Sequence, residues 1–110
     1  MTPLTPLSLH LLLALADEDR HGYGIIKEIS RQTQGKLQPG TGALYTAIQR
    51  LQEERLIAVS NQRPDPAEDD SRRRYYRLTT QGRAALAAET ARLAELVAVA
   101  KQKKVAVRYA

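Results

Sequence analysis

Residues 36–55, KLQPGTGALYTAIQRLQEER, constrain this chain more than any other stretch. Pro39 and Gly40 end a turn, and Thr41 is placed to accept hydrogen bonds from the first backbone N–H groups of a new helix. Leu44, Ile48 and Leu51 then recur at helical spacing as one apolar stripe, while Thr41, Gly42, Tyr45, Thr46 and Gln49 fall largely on the opposite side. That outward face is uncharged, small and rich in hydrogen-bonding groups. A solvated helix more often carries Lys and Glu there, whereas a helix lying in a DNA major groove needs side chains that reach base edges and phosphates. Two readings follow from the stretch alone: a polar surface helix, or a helix that reads DNA.

Upstream, Thr5 followed by Pro6 predicts a helix start, because proline's missing N–H is no loss in a first turn. The helix should run to about Ala16. Leu7, Leu11 and Leu15 make one stripe and Leu9, Leu12 and Leu13 lie off it, so the helix is apolar on more than one face. A small domain can hardly cover both sides, which predicts a subunit contact at Leu9, Leu12 and Leu13. Asp17 to Arg20 reads as a charged turn. His21-Gly22-Tyr23-Gly24 then opens a second helix to about Gln32, with Ile25, Ile26 and Ile29 as its buried face and the glycines signalling close backbone approach or a tight entry. Two short helices joined by a Gly-containing turn, the second with a polar outer face, match a helix-turn-helix.

Beyond Arg55 the period changes. Leu56, Ile57 and Val59 lead an extended run to Arg63, Pro64-Asp65-Pro66 with Glu68-Asp69-Asp70 reads as a turn, and a second extended run covers Arg72 to Thr79. Strand alternation puts Tyr76 and Leu78 on one face and Arg73, Tyr75 and Arg77 on the other. The basic face can reach a phosphate backbone; as a bland alternative, it guards a sheet edge. Thr79 or Thr80 should cap a long last helix in which Leu86, Thr90, Leu93, Val97 and Ala100 recur at spacings of four and three, a seam suited to close helix approach in a dimer. Lys101, Lys103, Lys104 and Arg108 make a basic tail, read as a solvated end.

With 110 residues the expectation is one compact domain, organised as a DNA-binding part at 1–79 and a C-terminal dimerisation helix with its tail at 80–110. The formal charge of +5 favours a polyanionic partner. The absence of cysteine excludes disulfides and thiolate metal sites. No nucleophile elbow, phosphate-cradling glycine loop or paired carboxylates point to catalysis, and His10 and His21 lack a second ligand at metal spacing. The expectation is therefore a protein that is not an enzyme, has no metal or cofactor, does not enter a membrane, and works in the cytoplasm.

The HGYGI opening of the second helix, PGTGALYTAIQRLQEERLI and RRRYYRLTTQG, in this order across about residues 5–100, resemble the PadR family of bacterial transcriptional regulators. The resemblance implies a mainly α fold with a small β-hairpin, a winged helix-turn-helix plus a long C-terminal dimerisation helix. By position, His21, Gly22 and Tyr23 match the second-helix motif. Pro39, Gly40, Leu44 and Tyr45 match the recognition-helix motif, and Arg74, Tyr76, Leu78 and Thr79, followed by Gly82, the wing. It also implies a homodimeric repressor, of the short form with a single C-terminal helix, released from DNA by a small-molecule effector at the dimer interface. Gly42-Ala43 stands where relatives often pass from threonine straight to the Leu-Tyr pair, which implies a displaced or looser first turn. The chain has no Trp and no Phe, so aromatic stacking of a flat effector by those side chains has no platform.

The expected DNA contacts are Lys36, Thr41, Gly42, Tyr45, Thr46 and Gln49 around the recognition helix and Arg73, Arg74 and Arg77 on the wing, meeting an inverted-repeat operator in double-stranded DNA. The expected dimer contacts are Leu9, Leu12 and Leu13 in the first helix and Leu86, Leu93, Val97 and Ala100 in the last. The alternatives are a winged-helix module that docks another protein and a nonspecific chromosome-binding protein.

Overall fold

The computed structural model describes residues 4–61 and 74–105. Its elements run α1 (Pro6–Ala14), β1 (Arg20–His21), α2 (Gly22–Gln32), α3 (Thr41–Glu53), β2 (Ile57–Ser60), β3 (Tyr75–Leu78) and α4 (Thr80–Gln102). The fold is mainly helical, with one antiparallel sheet in the order β1-β3-β2.

Helix α1 starts as its sequence requires. Thr5 Oγ1 accepts from the Ser8 N–H at 3.1 Å, with Pro6 in the first turn. It stops two residues short of the expected Ala16, because the Arg20 Nε donates to the Ala14 carbonyl at 2.7 Å and takes an acceptor that a further turn would use. The charged turn after α1 runs into a two-residue strand at its last residue, Arg20. Arg20 and His21 pair with Tyr76 and Tyr75 across the edge of β3, a backbone partnership too short to leave a sequence period. His21 also starts α2: its Nδ1 accepts from the Gly24 N–H at 3.1 Å.

At α3 the cap is Gly40, with no side-chain cap bond, and Thr41 is the first helical residue rather than the cap. The Leu44 N–H donates to the Gly40 carbonyl at 3.0 Å, so the first turn is a regular helical turn despite Gly42-Ala43. Leu44, Ala47, Ile48 and Leu51 carry it into the core, where they meet Leu11, Leu12, Ile25, Ile29, Ile57 and Tyr76.

Helices α2, α3 and α4 end alike. Backbone N–H groups of Gly35, Leu56 and Val105 reach back to the carbonyls of Ser30, Leu51 and Ala100, and the residue before each turns left-handed: Gln34 at φ 51°, Arg55 at 62°, Lys104 at 61°. None of the three is glycine, although an L side chain there costs about 1–2 kcal/mol. Gln34→Gly is therefore expected to stabilise the fold by about 0.5–1 kcal/mol after glycine's own entropic cost, a melting midpoint about 4 °C higher. A lowered midpoint would mean the Gln34 side chain contributes more than its strain.

The wing hairpin has four-residue strands in the register Ile57↔Leu78, Ala58↔Arg77, Val59↔Tyr76 and Ser60↔Tyr75. The expected turn at 64–70, with Arg72 and Arg73, lies outside the described residues. Thr79 then ties three elements together. Its N–H donates to the Leu56 carbonyl at 3.1 Å, its Oγ1 donates to the Arg55 carbonyl at 2.8 Å, and the same oxygen accepts from the Gly82 N–H at 2.9 Å to cap α4. Helix α4 is held at its start, where Gly82 and Leu86 are buried, and its 23 residues carry it about 34 Å. The molecule is accordingly elongated, 52 × 29 × 24 Å.

Candidate nucleic-acid interface

The apolar side of α3 fixes what its other side shows. With Leu44, Ile48 and Leu51 enclosed, Thr41, Gly42, Thr46 and Gln49 face outward, as does Arg50, whose Nε is 4.0 Å from Glu54. Lys36 is exposed in the turn before the helix. Tyr45 is 46 % exposed, yet its ring leans back on α2: a Cβ added to Gly22 would lie 2.3 Å from Tyr45 Oη. The outer face of α3 thus offers hydroxyl and amide groups over its first two and a half turns, the chemistry that base edges and phosphate oxygens accept and donate to.

On β3, Arg74 and Arg77 are exposed; Arg73 lies outside the described residues. Tyr75 is not on the exposed basic face where strand alternation put it. It is 6 % exposed because β1 pairs along that edge and sets the His21 ring edge-on against it, 5.2 Å between centroids. Tyr76, next in the strand, is also buried, so both tyrosines anchor the sheet while Arg77 reaches solvent. Burial pushes the Tyr76 hydroxyl above the ordinary phenol range, the nearby Tyr45 hydroxyl adds to this, and Arg74 opposes it.

Two of the expected subunit contacts are enclosed by their own chain. Leu12 of α1 is 0 % exposed and Leu86 of α4 7 %, since both belong to the protomer's own core. Leu9 and Leu13 remain half-buried at the edge of that core. Beyond Leu86 the helix leaves its cover: Leu93, Val97 and Ala100 are half-buried, and Leu96 and Val99, outside the expected seam, are 59 % and 44 % exposed. At about 100° per residue these five side chains span roughly half the circumference of α4.

Among the described residues no three His, Cys, Asp or Glu side chains gather as a metal site, and no helix is long and apolar enough to cross a membrane. The geometry is that of a helix-turn-helix with a wing beside it. The profile of the transcriptional regulator PadR-like family matches residues 11–88, from the core of α1 through the wing into α4. The chain belongs to that family. It is a DNA-binding transcription regulator of PadR type, not an enzyme.

This PadR-like chain is 41% identical to the transcriptional regulator Rv3488 of Mycobacterium tuberculosis over 88 residues, 80% of this chain and 76% of that protein. It is 36% identical to the transcriptional regulator YqjI of Escherichia coli over 76 residues, 69% of this chain but 33% of YqjI, so it spans about a third of that relative. A transcriptional regulator from Clostridium thermocellum superposes with a TM-score of 0.69 at 26% identity, over 91% of this chain and 90% of that one. A PadR family regulator from Clostridium difficile shares the fold with a TM-score of 0.72 at 24% identity, over 89% and 97%.

Sequence reasoning missed the ionic knot beneath this PadR-like helix-turn-helix. Glu28 lies among the buried residues of α2, 8% exposed, where Arg31 donates to its carboxylate at 2.7 Å and the Arg20 guanidinium stands 3.8 Å away. Arg20, which also pairs with Asp17 and Glu18, thereby joins the end of α1, the sheet edge and α2. The legible signal was position: Glu28 falls on the Ile25–Ile29 stripe, where an unpaired carboxylate would be costly. The Arg31 hydrogen bond, opposed by burial and assisted by the charge of Arg20, holds Glu28 below the usual carboxylate range. A depressed folded pKa contributes stability above the unfolded value of about 4.5 that is lost as pH falls through the folded value. The urea midpoint of the wild type should therefore exceed that of Glu28→Gln at pH 7, and the gap should narrow as pH falls below the unfolded value of about 4.5. A gap independent of pH would assign Glu28 a packing role only.

Proposed function

We propose that this chain acts as a homodimeric repressor, with α3 of each protomer in successive major grooves of an inverted-repeat operator. A small molecule entering between the subunits then releases it. The observation that carries the reading is the division of α3 into an apolar side locked in the core and an uncharged, hydrogen-bonding side holding Thr41, Thr46 and Gln49. Bases are read by such groups, while Lys36, Arg74 and Arg77 meet the phosphates on either flank and set the register. Two-fold symmetry asks for half-sites about 10 base pairs apart or a multiple of it. The exposed apolar half of α4 supplies the joining surface, and an effector between the subunits would meet Leu, Val and Ala side chains there.

Selection of bound fragments from genomic DNA identifies the operator, and affinities at several salt concentrations test the contacts. Replacing Arg74 and Arg77 together by glutamine should reduce the slope of log affinity against log salt by about two, with similar losses on operator and random duplex. Absence of salt-sensitive binding to any promoter fragment would instead favour a protein-docking module. Equal affinity for selected and random duplex would favour nonspecific chromosome binding.

A further inference from the structure

Gly22 is buried at the first position of α2, and its φ is not in the left-handed region, so its lack of a side chain answers a need for space. The space is filled by Tyr45: a Cβ on Gly22 would lie 2.3 Å from its Oη and 2.8 Å from its Cζ, closer than real atoms approach. Tyr45 leaves the outer half of α3, crosses to the start of α2, and brings its phenol near that of Tyr76 in the central strand of the sheet. The ring therefore stands where the first helix of the helix-turn-helix meets the second. Thr46, the next residue, and Gln49, one turn on, point outward from the helix that this ring braces.

Building on the DNA-reading role of α3, we propose that Tyr45 is a positioning residue: seated on Gly22, its ring fixes the pose of α3 against α2, and Thr46 and Gln49 read the bases from that pose. A hydroxyl turned back onto the protein is poorly placed to be a base-reading group itself. The side chain that matters is then the ring, and the partner it needs is the missing side chain at position 22. Gly22 touches no DNA in this arrangement, yet filling it should disturb recognition as removal of the ring does.

The test is a double-mutant cycle read on selected operator and random duplex, with thermal unfolding measured on every variant. Gly22→Ala and Tyr45→Ala should each lower the operator-to-random affinity ratio about tenfold, and the double variant should lose no more than either alone, as coupled neighbours do. Tyr45→Phe, which keeps the ring on its seat, should stay within about threefold of wild type. If Tyr45→Phe loses as much as Tyr45→Ala while Gly22→Ala keeps the wild-type ratio, the hydroxyl reads a base and the proposal is wrong. Additive losses, in affinity ratio and in unfolding midpoint alike, would likewise overturn it, since they would deny that the ring and the glycine act as one unit. Failure of the wild type to bind any duplex in a salt-sensitive way would instead remove the DNA-reading role on which the proposal rests, a result separable from the cycle because it appears in the parent chain.

Discussion

Gly82→Ala should unfold this protein or come close to it, although alanine is the better helix former by about 1 kcal/mol. Gly82 is in the first turn of α4, and a Cβ there would lie 2.0 Å from the Leu56 carbonyl oxygen, 2.9 Å from its carbon and 2.8 Å from Leu78 Cδ1. The carbonyl cannot swing aside. It accepts from the Thr79 N–H at 3.1 Å, follows the left-handed Arg55, and leads directly into β2 at Ile57. Relief would require α4 to lift off, which exposes Leu86 and strains the Thr79 cap. A loss of about 3 kcal/mol or more is expected, a large part of the stability of a domain this size. Gly42 supplies the opposite case on the same terms. It is helical, exposed, and an added Cβ would meet nothing within 4 Å, so Gly42→Ala should stabilise by about 1 kcal/mol. Urea melts of the two variants should move in opposite directions. A stable Gly82→Ala protein would mean that α4 is not seated against Leu56.

The same two glycines show which features a sequence discloses. Periodicity located α2 to its last residue at Gln32, placed Leu44, Ile48 and Leu51 in the core, and recognised the hairpin. These are the features that one element's own pattern determines. It misplaced the cap of α3, because a threonine after Pro-Gly satisfies the local rule for a cap and only backbone geometry shows that Gly40 takes the position. Strand β1 and the burial of Tyr75 went unseen for a common reason. Both depend on a pairing between residues more than fifty positions apart, and alternation along β3 cannot register what lies against its edge. The Arg20–Glu28 knot is closer in sequence, eight positions, but it spans the break between the end of α1 and α2, which the period of neither helix registers. Leu12 was assigned outward because an all-round apolar helix suggests cover from outside, and Leu86 because it begins the four-and-three seam of the last helix; the protomer covers both itself, and the uncovered apolar surface begins further along, at Leu93 to Val99.

That displaced surface carries the second large effect. Leu96→Asp with Val99→Asp is expected to yield a folded monomer that binds the operator at least about a hundredfold more weakly than wild type. Both side chains are exposed in the protomer, at 59 % and 44 %, and neither belongs to the core, so charging them removes little intrachain packing and should leave the monomer's own fold intact. If this surface joins subunits as proposed, two aspartates on it would have to be desolvated without partners, which association cannot compensate. The loss on DNA follows because a dimer binds its second half-site intramolecularly, at an effective concentration set by the fixed spacing of the two α3 helices, and a monomer forfeits that gain. Random duplex, bound through phosphates, should suffer much less. Sedimentation of both proteins, with circular dichroism to confirm retained helix, separates the outcomes. Wild-type unfolding should also shift with protein concentration, as it must when folding and association are linked, and the variant's should not. If the variant remains a dimer, the contact lies elsewhere, and the half-buried Leu9 and Leu13 of α1 become the next residues to charge. If it is monomeric yet binds the operator as tightly as before, one protomer reads the whole site and the inverted repeat is not required.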